Sequence, residues 1–197
     1  MPDNLSQLKI VRVGYNIGWD GLKRIGDIVL EAFKGIIRKY ELQEHRVPEG
    51  IDEIETSLLT KILNEQIGGH ILGVTNMALT YKEKESMHKY LFGGKDSKND
   101  VAVVSTRRLF PDEQDPLHNQ LLMNRTSKVV LHEEGHNFGL PDHYKFQKAR
   151  DGTYCPMIRG DYNRFGEFGY IRAVIDARGL MFCEPCIEFL YARPRFN

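Results

Sequence analysis

Residues 132–143 have the sequence HEEGHNFGLPDH, and they restrict what this chain can fold into more than any other segment. The segment opens with an HExxH motif, in which His132 and His136 are about one helical turn apart. Residues at this spacing share one face of an α-helix, so both imidazoles can reach one metal ion while Glu133 projects beside them. The sequence therefore predicts a metal site on a helix.

The helix that carries the motif is predicted at residues 118–138. Apolar residues 129–131 precede the motif and supply the buried flank that such a helix needs. Gly139 follows the helix, and glycine ends helices readily because it can adopt a positive φ. We therefore expect a sharp turn after the helix.

Two residues beyond this turn can complete the metal site. Zinc in hydrolytic sites usually takes three protein ligands and leaves a fourth position for water. Asp142 and His143 are the first ligand-type residues after the turn, and Asp142 has the spacing at which the metzincin peptidases, which this segment resembles, supply their third ligand. We expect Asp142 rather than His143 to bind the catalytic zinc. Its carboxylate would leave the zinc a weaker Lewis acid than a third imidazole would.

Glu133 is the candidate general base. In zinc hydrolases, a carboxylate beside the metal takes a proton from the attacking water and passes it to the leaving amine. Its neighbour Glu134 is expected to be solvated or to support the site from outside. The motif therefore predicts hydrolysis of peptide bonds by a zinc-activated water.

Composition limits the partners of the chain. The 197 residues include 27 Lys and Arg and 27 Asp and Glu, so the formal net charge is +0 and gives no general attraction to nucleic acid or to anionic membranes. Residues 1–7 have neither the basic nor the apolar region of a secretion signal, and no segment approaches the length of a transmembrane helix. We expect a cytoplasmic monomer of one domain that acts on a peptide or protein, without a nucleic-acid or membrane partner.

The cysteines Cys155, Cys183 and Cys186 are too few for a closed disulfide framework. A CxxC pair in a cytosolic chain indicates metal or redox chemistry. Redox chemistry is the weaker hypothesis, because the pair lies at the end of the chain rather than after a first strand. Buried inert thiols, or a reversible pair between Cys183 and Cys186, are the alternative.

Apolar periodicity predicts alternating strands and helices. Strands are predicted at residues 8–13, 45–47, 70–75, 88–93 and 100–105. Helices are predicted at residues 19–40, 51–67 and 165–178, in addition to the motif helix. This alternation predicts an α/β (α+β) fold in which helices back a mixed, mostly parallel twisted sheet of about five strands.

The segments C-P-M, at residues 155–157, and C-E-P-C, at residues 183–186, follow the HExxH motif. Together with that motif they resemble the archaemetzincin family of metzincin zinc peptidases, and shorter fragments extend the resemblance over nearly the whole chain. The family pattern is HExxHxxGxxH followed directly by a cysteine. Here Asp142 replaces the third histidine and His143 replaces that cysteine, and the stretches at 144–154 and between Met157 and Cys183 are longer than in the family.

The resemblance implies a metzincin-like domain with two lobes and two zinc ions. The upper lobe, residues 1–139, would contain the sheet, and the small lower lobe, residues 140–197, would be held by a structural zinc. Met157 would form the methionine turn beneath the catalytic zinc. The implied ligands are His132, His136 and Asp142 for the catalytic zinc, and His143, Cys155, Cys183 and Cys186 for the structural zinc.

In metzincins an edge strand above the zinc pairs with extended substrate. The corresponding candidates here are Tyr90, Leu91, Phe92 and Gly93. An ordinary exposed edge, protected by the charges of nearby lysines, is the alternative. Those lysines are Lys82, Lys84, Lys89 and Lys95.

The sequence thus predicts a zinc metallopeptidase. The competing hypothesis is a zinc-stabilised peptide-binding or adaptor protein of the same fold with little or no activity. The choice between endopeptidase and aminopeptidase action stays open. So does the identity of a tyrosine that could stabilise the oxyanion, for which Tyr144, Tyr154 and Tyr162 are the candidates.

Overall fold

A computed structural model of the protein describes residues 6–14, 17–81, 90–96, 98–110 and 116–192. In these ranges the strands are β1 (Ser6–Val13), β2 (Ile37–His45), β3 (Glu53–Glu55), β4 (His70–Thr75), β5 (Ala78–Thr80), β6 (Tyr90–Leu91), β7 (Gly93–Lys95) and β8 (Val101–Ser105). The helices are α1 (Trp19–Ala32), α2 (Thr56–Gln66), α3 (His118–Asn137), α4 (Tyr162–Tyr170) and α5 (Glu184–Ala192). A π-helical stretch, Ile171–Ile175, continues α4.

The main sheet has the strand order β2-β1-β4-β8-β7. Strands β2, β1, β4 and β8 are parallel, and β7 pairs antiparallel with β8 at one edge. The predicted α/β fold with a mixed, mostly parallel sheet of five strands is therefore confirmed. A second, smaller sheet of order β3-β5-β6 was not predicted, because each of its strands has only two or three residues and gives no periodic pattern.

Both faces of the main sheet are covered by helices. Successive side chains of a strand point to opposite faces. Ile10 of β1 accordingly packs in the cluster that contains residues of α1 and α3, whereas Val11 packs in the cluster that contains Leu59 and Leu63 of α2. All five residues of β8 are buried, as the continuous apolar run at 100–105 predicts.

The helix predicted at residues 19–40 is wrong beyond Ala32. Helix α1 ends there, and the chain turns through Gly35, with φ 78°, into β2. Ile36 and Ile37 fit helical spacing, but Ile37 begins β2. Among the described strands β2 has β1 as its single neighbour, so most of its side chains are polar and partly exposed, and no apolar run marks it as a strand.

Two further boundaries differ from the prediction. The helix expected to start at residue 51 starts at Thr56, where the Thr56 hydroxyl donates a hydrogen bond to the Thr80 carbonyl of β5. The short strand expected at residues 45–47 is the end of β2, which stops at His45.

The edge strand predicted at residues 88–93 is divided between the two sheets. Tyr90–Leu91 forms β6 of the small sheet, and Gly93–Lys95 forms β7 at the edge of the main sheet. The prediction of one continuous edge strand is therefore wrong, because the chain changes sheets at Phe92. His88 and the lysines Lys82, Lys84 and Lys89 lie outside the described residues.

The described helices include none that is both long and apolar enough to cross a membrane.

Gly73 lets α2 pack closely on the sheet, and its substitution tests this contact. A Cβ at Gly73 would lie 2.7 Å from Leu63 Cδ1 and 3.0 Å from Val103 Cγ1. We expect Gly73→Ala to lower the free energy of unfolding by about 1–3 kcal/mol, as overpacked cores do. Urea denaturation measures the change, with Gly18→Ala as the matched control, because nothing lies within 4 Å of the added Cβ there. Equal stability of the two variants would contradict the close packing.

Candidate metal centres

Helix α3 brings the HExxH motif into the interior beside the edge of the sheet. Val129, Val130 and Leu131 are buried in the core, as the sequence predicts, and the helix ends one residue before the predicted position. Gly139 adopts φ 78°, and the Leu140 amide donates a hydrogen bond to the Gly135 carbonyl over 2.8 Å. This is a Schellman turn, which folds the chain back against the last turn of the helix.

Two backbone carbonyls fix the orientation of the motif histidines. His132 Nδ1 lies 3.0 Å from the Pro156 carbonyl oxygen, and His136 Nδ1 lies 2.9 Å from the Leu140 carbonyl oxygen. A carbonyl can only accept a hydrogen bond, so each neutral ring carries its proton on Nδ1. The Nε2 lone pairs are left free to bind a metal, as the hydrogen bonds of metal-binding histidines usually ensure.

Asp142 completes a triangle with these two nitrogen atoms. Its Oδ1 atom lies 3.2 Å from His136 Nε2 and 3.5 Å from His132 Nε2, and the two Nε2 atoms are 3.2 Å apart. Its Oδ2 atom accepts a hydrogen bond of 2.8 Å from Arg159. Oδ1 itself is buried and accepts no hydrogen bond from the described residues, so it faces the histidines without a partner.

The triangle has the dimensions of a zinc site. In a tetrahedral site with bonds of about 2.0–2.1 Å to nitrogen and oxygen, neighbouring donor atoms lie about 3.3–3.4 Å apart. The measured separations of 3.2–3.5 Å match this value. The orphaned Asp142 oxygen and the two free imidazole nitrogens therefore fit a zinc ion.

The charges around the triangle set the protonation of its three donor groups. Burial keeps the pKa of His132 well below its usual range, so its imidazole is neutral at neutral pH. Burial also disfavours the charged form of Asp142, but His136 and the guanidinium of Arg159 outweigh this and hold the pKa of Asp142 well below its usual range. Burial also disfavours the charged form of His136, but its contact with Asp142 outweighs burial and raises the pKa of His136, so this imidazole must give up its proton to bind a metal. The donor set would then be two imidazoles and one carboxylate.

Glu133 lies in the same cleft, packed against the edge strand. Burial raises the pKa of its carboxyl group to about 7. A Cβ at Gly93 would lie 2.6 Å from Glu133 Cγ and 2.8 Å from Glu133 Oε1, so the glycine makes room for the glutamate. The cleft has a volume of about 1230 Å³ and is lined by residues of β7, of α3 and of the segment that follows Met157.

A second cluster of ligand-type side chains lies behind Asp142. Cys155 Sγ is 3.8 Å from Cys186 Sγ, while His143 Nε2 is 3.0 Å from Cys186 Sγ and 3.3 Å from Cys183 Sγ. The donor atoms of these four residues all lie within 4.8 Å of one another. With zinc–sulfur bonds of about 2.3 Å, sulfur atoms of a tetrahedral site are about 3.8 Å apart, so this set also fits zinc.

The protonation of the cysteines is uneven. Contact with the Cys186 thiol lowers the pKa of the Cys155 thiol to about 5, while the same contact and burial raise the pKa of Cys186. Cys155 is therefore the thiol most readily converted to the thiolate that metals bind. The three cysteines form no disulfide with one another.

Asp142 and His143 face different clusters because the chain is extended at this point. The His143 amide donates a hydrogen bond of 2.8 Å to the Met157 carbonyl, and the Arg159 amide donates one of 2.8 Å to the His143 carbonyl. In such a strand-like pairing, successive side chains point in opposite directions. Met157 is fully buried, and its sulfur occupies the space that a Cβ at Gly135 would need.

Several contacts of the site were not predicted from the sequence. Arg159 and the carbonyls of Pro156 and Leu140 carry no motif of their own. Glu134 is fully buried rather than solvated, and its Oε2 atom lies 2.7 Å from His70 Nε2. The only signal for this pair in the sequence is a histidine at the start of an otherwise apolar strand, which does not identify its partner.

Not all of the tyrosines considered for the oxyanion lie at the cleft. Tyr144 and Tyr162 line the cleft, whereas Tyr154 does not belong to its lining and packs on the Phe146 ring, with ring centroids 5.2 Å apart. Leu91, Phe92 and Gly93 line the cleft as well.

The HExxH helix, the glycine turn that ends it, the mixed sheet and the buried methionine are the features that the resemblance to metzincin peptidases implies. No family model matches the chain. It is 27% identical to the archaemetzincin of Pyrococcus furiosus over 179 residues, and this alignment covers 88% of this chain and 77% of that protein. It is 35% identical to the archaemetzincin of Thermococcus kodakarensis over 89 residues, and this alignment covers 45% of this chain and 39% of that protein.

Solved structures have the same fold. The archaemetzincin of Methanopyrus kandleri superimposes with a TM-score of 0.71 at 21% identity, over 97% of this chain and 96% of that one. The archaemetzincin of Archaeoglobus fulgidus, solved with malonate, superimposes with a TM-score of 0.65 at 17% identity, over 93% of this chain and 99% of that one. A zinc-dependent peptidase of Methanocorpusculum labreanum superimposes with a TM-score of 0.59 at 17% identity, over 92% of this chain and 99% of that one. The chain is therefore similar to archaemetzincins in sequence and has their fold.

The His70–Glu134 pair predicts a pH-dependent contribution to stability. Burial disfavours the charged form of His70, but the carboxylate of Glu134 outweighs it and raises the pKa of His70 above the value of about 6.5 in an unfolded chain. The charged pair therefore stabilises the fold fully below pH 6.5, and this part is lost as the pH rises through the folded pKa. We expect His70→Gln to lower the free energy of unfolding by about 3–5 kcal/mol at pH 6 and by less at pH 9.

Urea unfolding of wild type and variant at both pH values measures this difference, in one zinc-containing buffer so that metal loss at acidic pH affects both proteins alike. His45→Gln, at the end of β2, is the control for removing a histidine outside the pair. A cost that stays constant or grows with pH would contradict the raised pKa.

Proposed function

We propose that this protein is a zinc-dependent peptidase that hydrolyses peptide bonds with Glu133 as general base. The observation that carries the proposal is the triangle of His132, His136 and Asp142, whose edges of 3.2–3.5 Å match a zinc site. Among the described residues, the Oδ1 atom of Asp142 has no hydrogen-bond partner. The similarity to archaemetzincins, and the fold shared with a zinc-dependent peptidase, support the same class of activity.

Zinc, when bound, supplies a Lewis acid that polarises the scissile carbonyl and acidifies a water molecule. The protein contributes the base. The Glu133 carboxylate accepts the proton of the attacking water and then delivers it to the nitrogen of the leaving amine. Burial against Gly93 keeps this carboxylate in one place and brings its pKa to about 7, which suits a group that both accepts and donates a proton near neutral pH.

Strand β7 is the proposed substrate-binding edge. Among the described strands it pairs with β8 alone, and Gly93 borders both the cleft and Glu133. An extended peptide can add to such an edge by main-chain hydrogen bonds. The substrate is therefore proposed to be a peptide or an unfolded protein segment that lies along residues 91–95.

A second zinc is proposed to bind His143, Cys155, Cys183 and Cys186. Cys₃His is a closed tetrahedral set without a position for substrate, so its role is structural. It ties α5 to the segment that carries Asp142 and Met157. We propose on this basis that residues 140–197 form the lower lobe of a single domain.

Replacement of the base tests the mechanism. We expect Glu133→Gln to retain zinc, because Glu133 is not a proposed ligand, and to lower kcat by about 10²–10⁴-fold, the usual contribution of general base catalysis. Chelator-sensitive cleavage of a mixed peptide library by the zinc-loaded protein provides the assay. Glu188→Gln, an exposed glutamate on α5, is the matched control. Cleavage by Glu133→Gln at the wild-type rate would remove this residue from the mechanism.

Zinc content tests the two sites separately. We expect about two zinc ions per chain by elemental analysis, and about one after either His132→Ala or Cys183→Ser. Only the cysteine variant should also lose thermal stability substantially, because a structural zinc contributes to folding. One zinc in the wild type, together with three thiols that react freely with a thiol reagent, would contradict the Cys₃His site.

The competing peptide-binding function has a distinct result. A protein that holds both zinc ions and binds extended peptides, yet cleaves none of them across a wide pH range, would be an adaptor of archaemetzincin fold.

A further inference from the structure

Arg178 is a buried cation in the wall of the cleft. It follows the π-helical stretch, and its side chain is 4% exposed. Its Nε and Nη2 atoms both donate to the Ile158 carbonyl, over 3.2 Å and 2.7 Å. The same cleft is lined by His132, Glu133 and Asp142.

No carboxylate lies within ion-pair distance of this guanidinium in the part of the chain that the structure describes, and none of those residues accepts a hydrogen bond from its Nη1 atom. Glu133 and Asp142 attract it electrostatically from farther away. Asp142 is already paired with Arg159 through Oδ2. Arginine stays protonated in proteins, and a buried charge without a partner costs several kcal/mol. The fold therefore retains a destabilising charge beside the candidate metal centre.

A structural role does not account for the charge. Holding the Ile158 carbonyl requires N–H donors, which a neutral side chain can also supply. The guanidinium adds a planar set of donors whose geometry matches a carboxylate. The lining of the cleft also includes residues that are apolar or small, among them Val129, Ile175 and Gly160. An anionic group that enters the cleft here would meet the cation in surroundings with little water, where the attraction is strong.

We propose that Arg178 binds a carboxylate of the substrate close to the scissile bond, and so gives the enzyme a preference for peptides that are acidic at that position. This inference rests on the proposed peptidase function and names the substrate class of that site. The carboxylate can come from an Asp or Glu side chain or from the C-terminus of a short peptide. In either case the partner is one carboxylate, held by the face of the guanidinium that Ile158 leaves free.

A set of matched peptides tests the proposal. In one peptide sequence, Glu and Gln are exchanged at each of the positions around the cleaved bond, and every peptide is made with a free and with an amidated C-terminus. The zinc-loaded wild type is expected to cleave one Glu peptide, or the free-acid form, at least about ten-fold faster in kcat/KM than its neutral twin. The position that responds distinguishes a side-chain carboxylate from a terminal one.

Three variants assign the preference to Arg178. Arg178→Met should bring the ratio of kcat/KM between acidic and neutral peptides to about one. Arg178→Lys should retain part of the preference for acidic peptides. Arg172→Met removes an exposed arginine from the π-helical stretch and should leave the ratio unchanged. Because the ratio compares two substrates in one sample, a smaller folded fraction of a variant does not alter it.

A binding measurement separates this inference from the proposed function. Calorimetry with the Glu133→Gln protein, with and without Arg178→Met, compares the affinity for each acidic peptide with that for its neutral twin without any need for cleavage. Equal affinities and equal rates in the wild type, or a preference that survives Arg178→Met, would overturn the role of Arg178. Acidic peptides that bind through Arg178 and are never cleaved would overturn the peptidase function and leave the carboxylate site standing.

Discussion

The turn after α3 is the constraint on which both candidate metal clusters depend. Gly139 adopts a positive φ that permits the Leu140 amide to bond back to Gly135, and the Leu140 carbonyl in turn orients His136. The chain then runs extended beside Met157, which directs Asp142 and His143 to opposite sides. A side chain at Gly139 would strain this turn and would disturb both clusters together.

The sequence was informative where the chemistry of a few residues restricts their positions. The motif spacing predicted α3 almost to the residue, and apolar runs predicted β4 and β8, which are buried on both faces. Strand β2 was mistaken for helix because it is a polar edge, and β3 and β5 are too short to show a period. Local pattern carries no information on which distant strand such a segment will pair with.

The supporting contacts of the site could not be predicted for a related reason. Pro156 and Arg159 act on His132 and Asp142 through contacts that exist only once the segment after α3 has folded back. A backbone carbonyl is present at every residue, so its use as an acceptor leaves no trace in the sequence. Arg178 is similar, since an arginine in the sequence is expected on the surface and its burial is set by the packing of the whole chain.

The two intervening residues of HExxH are usually regarded as free to vary. In this protein both make specific contacts. Glu134 is joined to His70 of β4, and Gly135 leaves the space that Met157 fills. Glu134 therefore joins the helix to the main sheet, and Gly135 lets the helix pack against the segment that carries Met157. All five residues of the motif therefore make specific contacts in this chain, and exchanging these two for the residues of another HExxH protein would remove one contact to each neighbour while leaving every consensus residue in place.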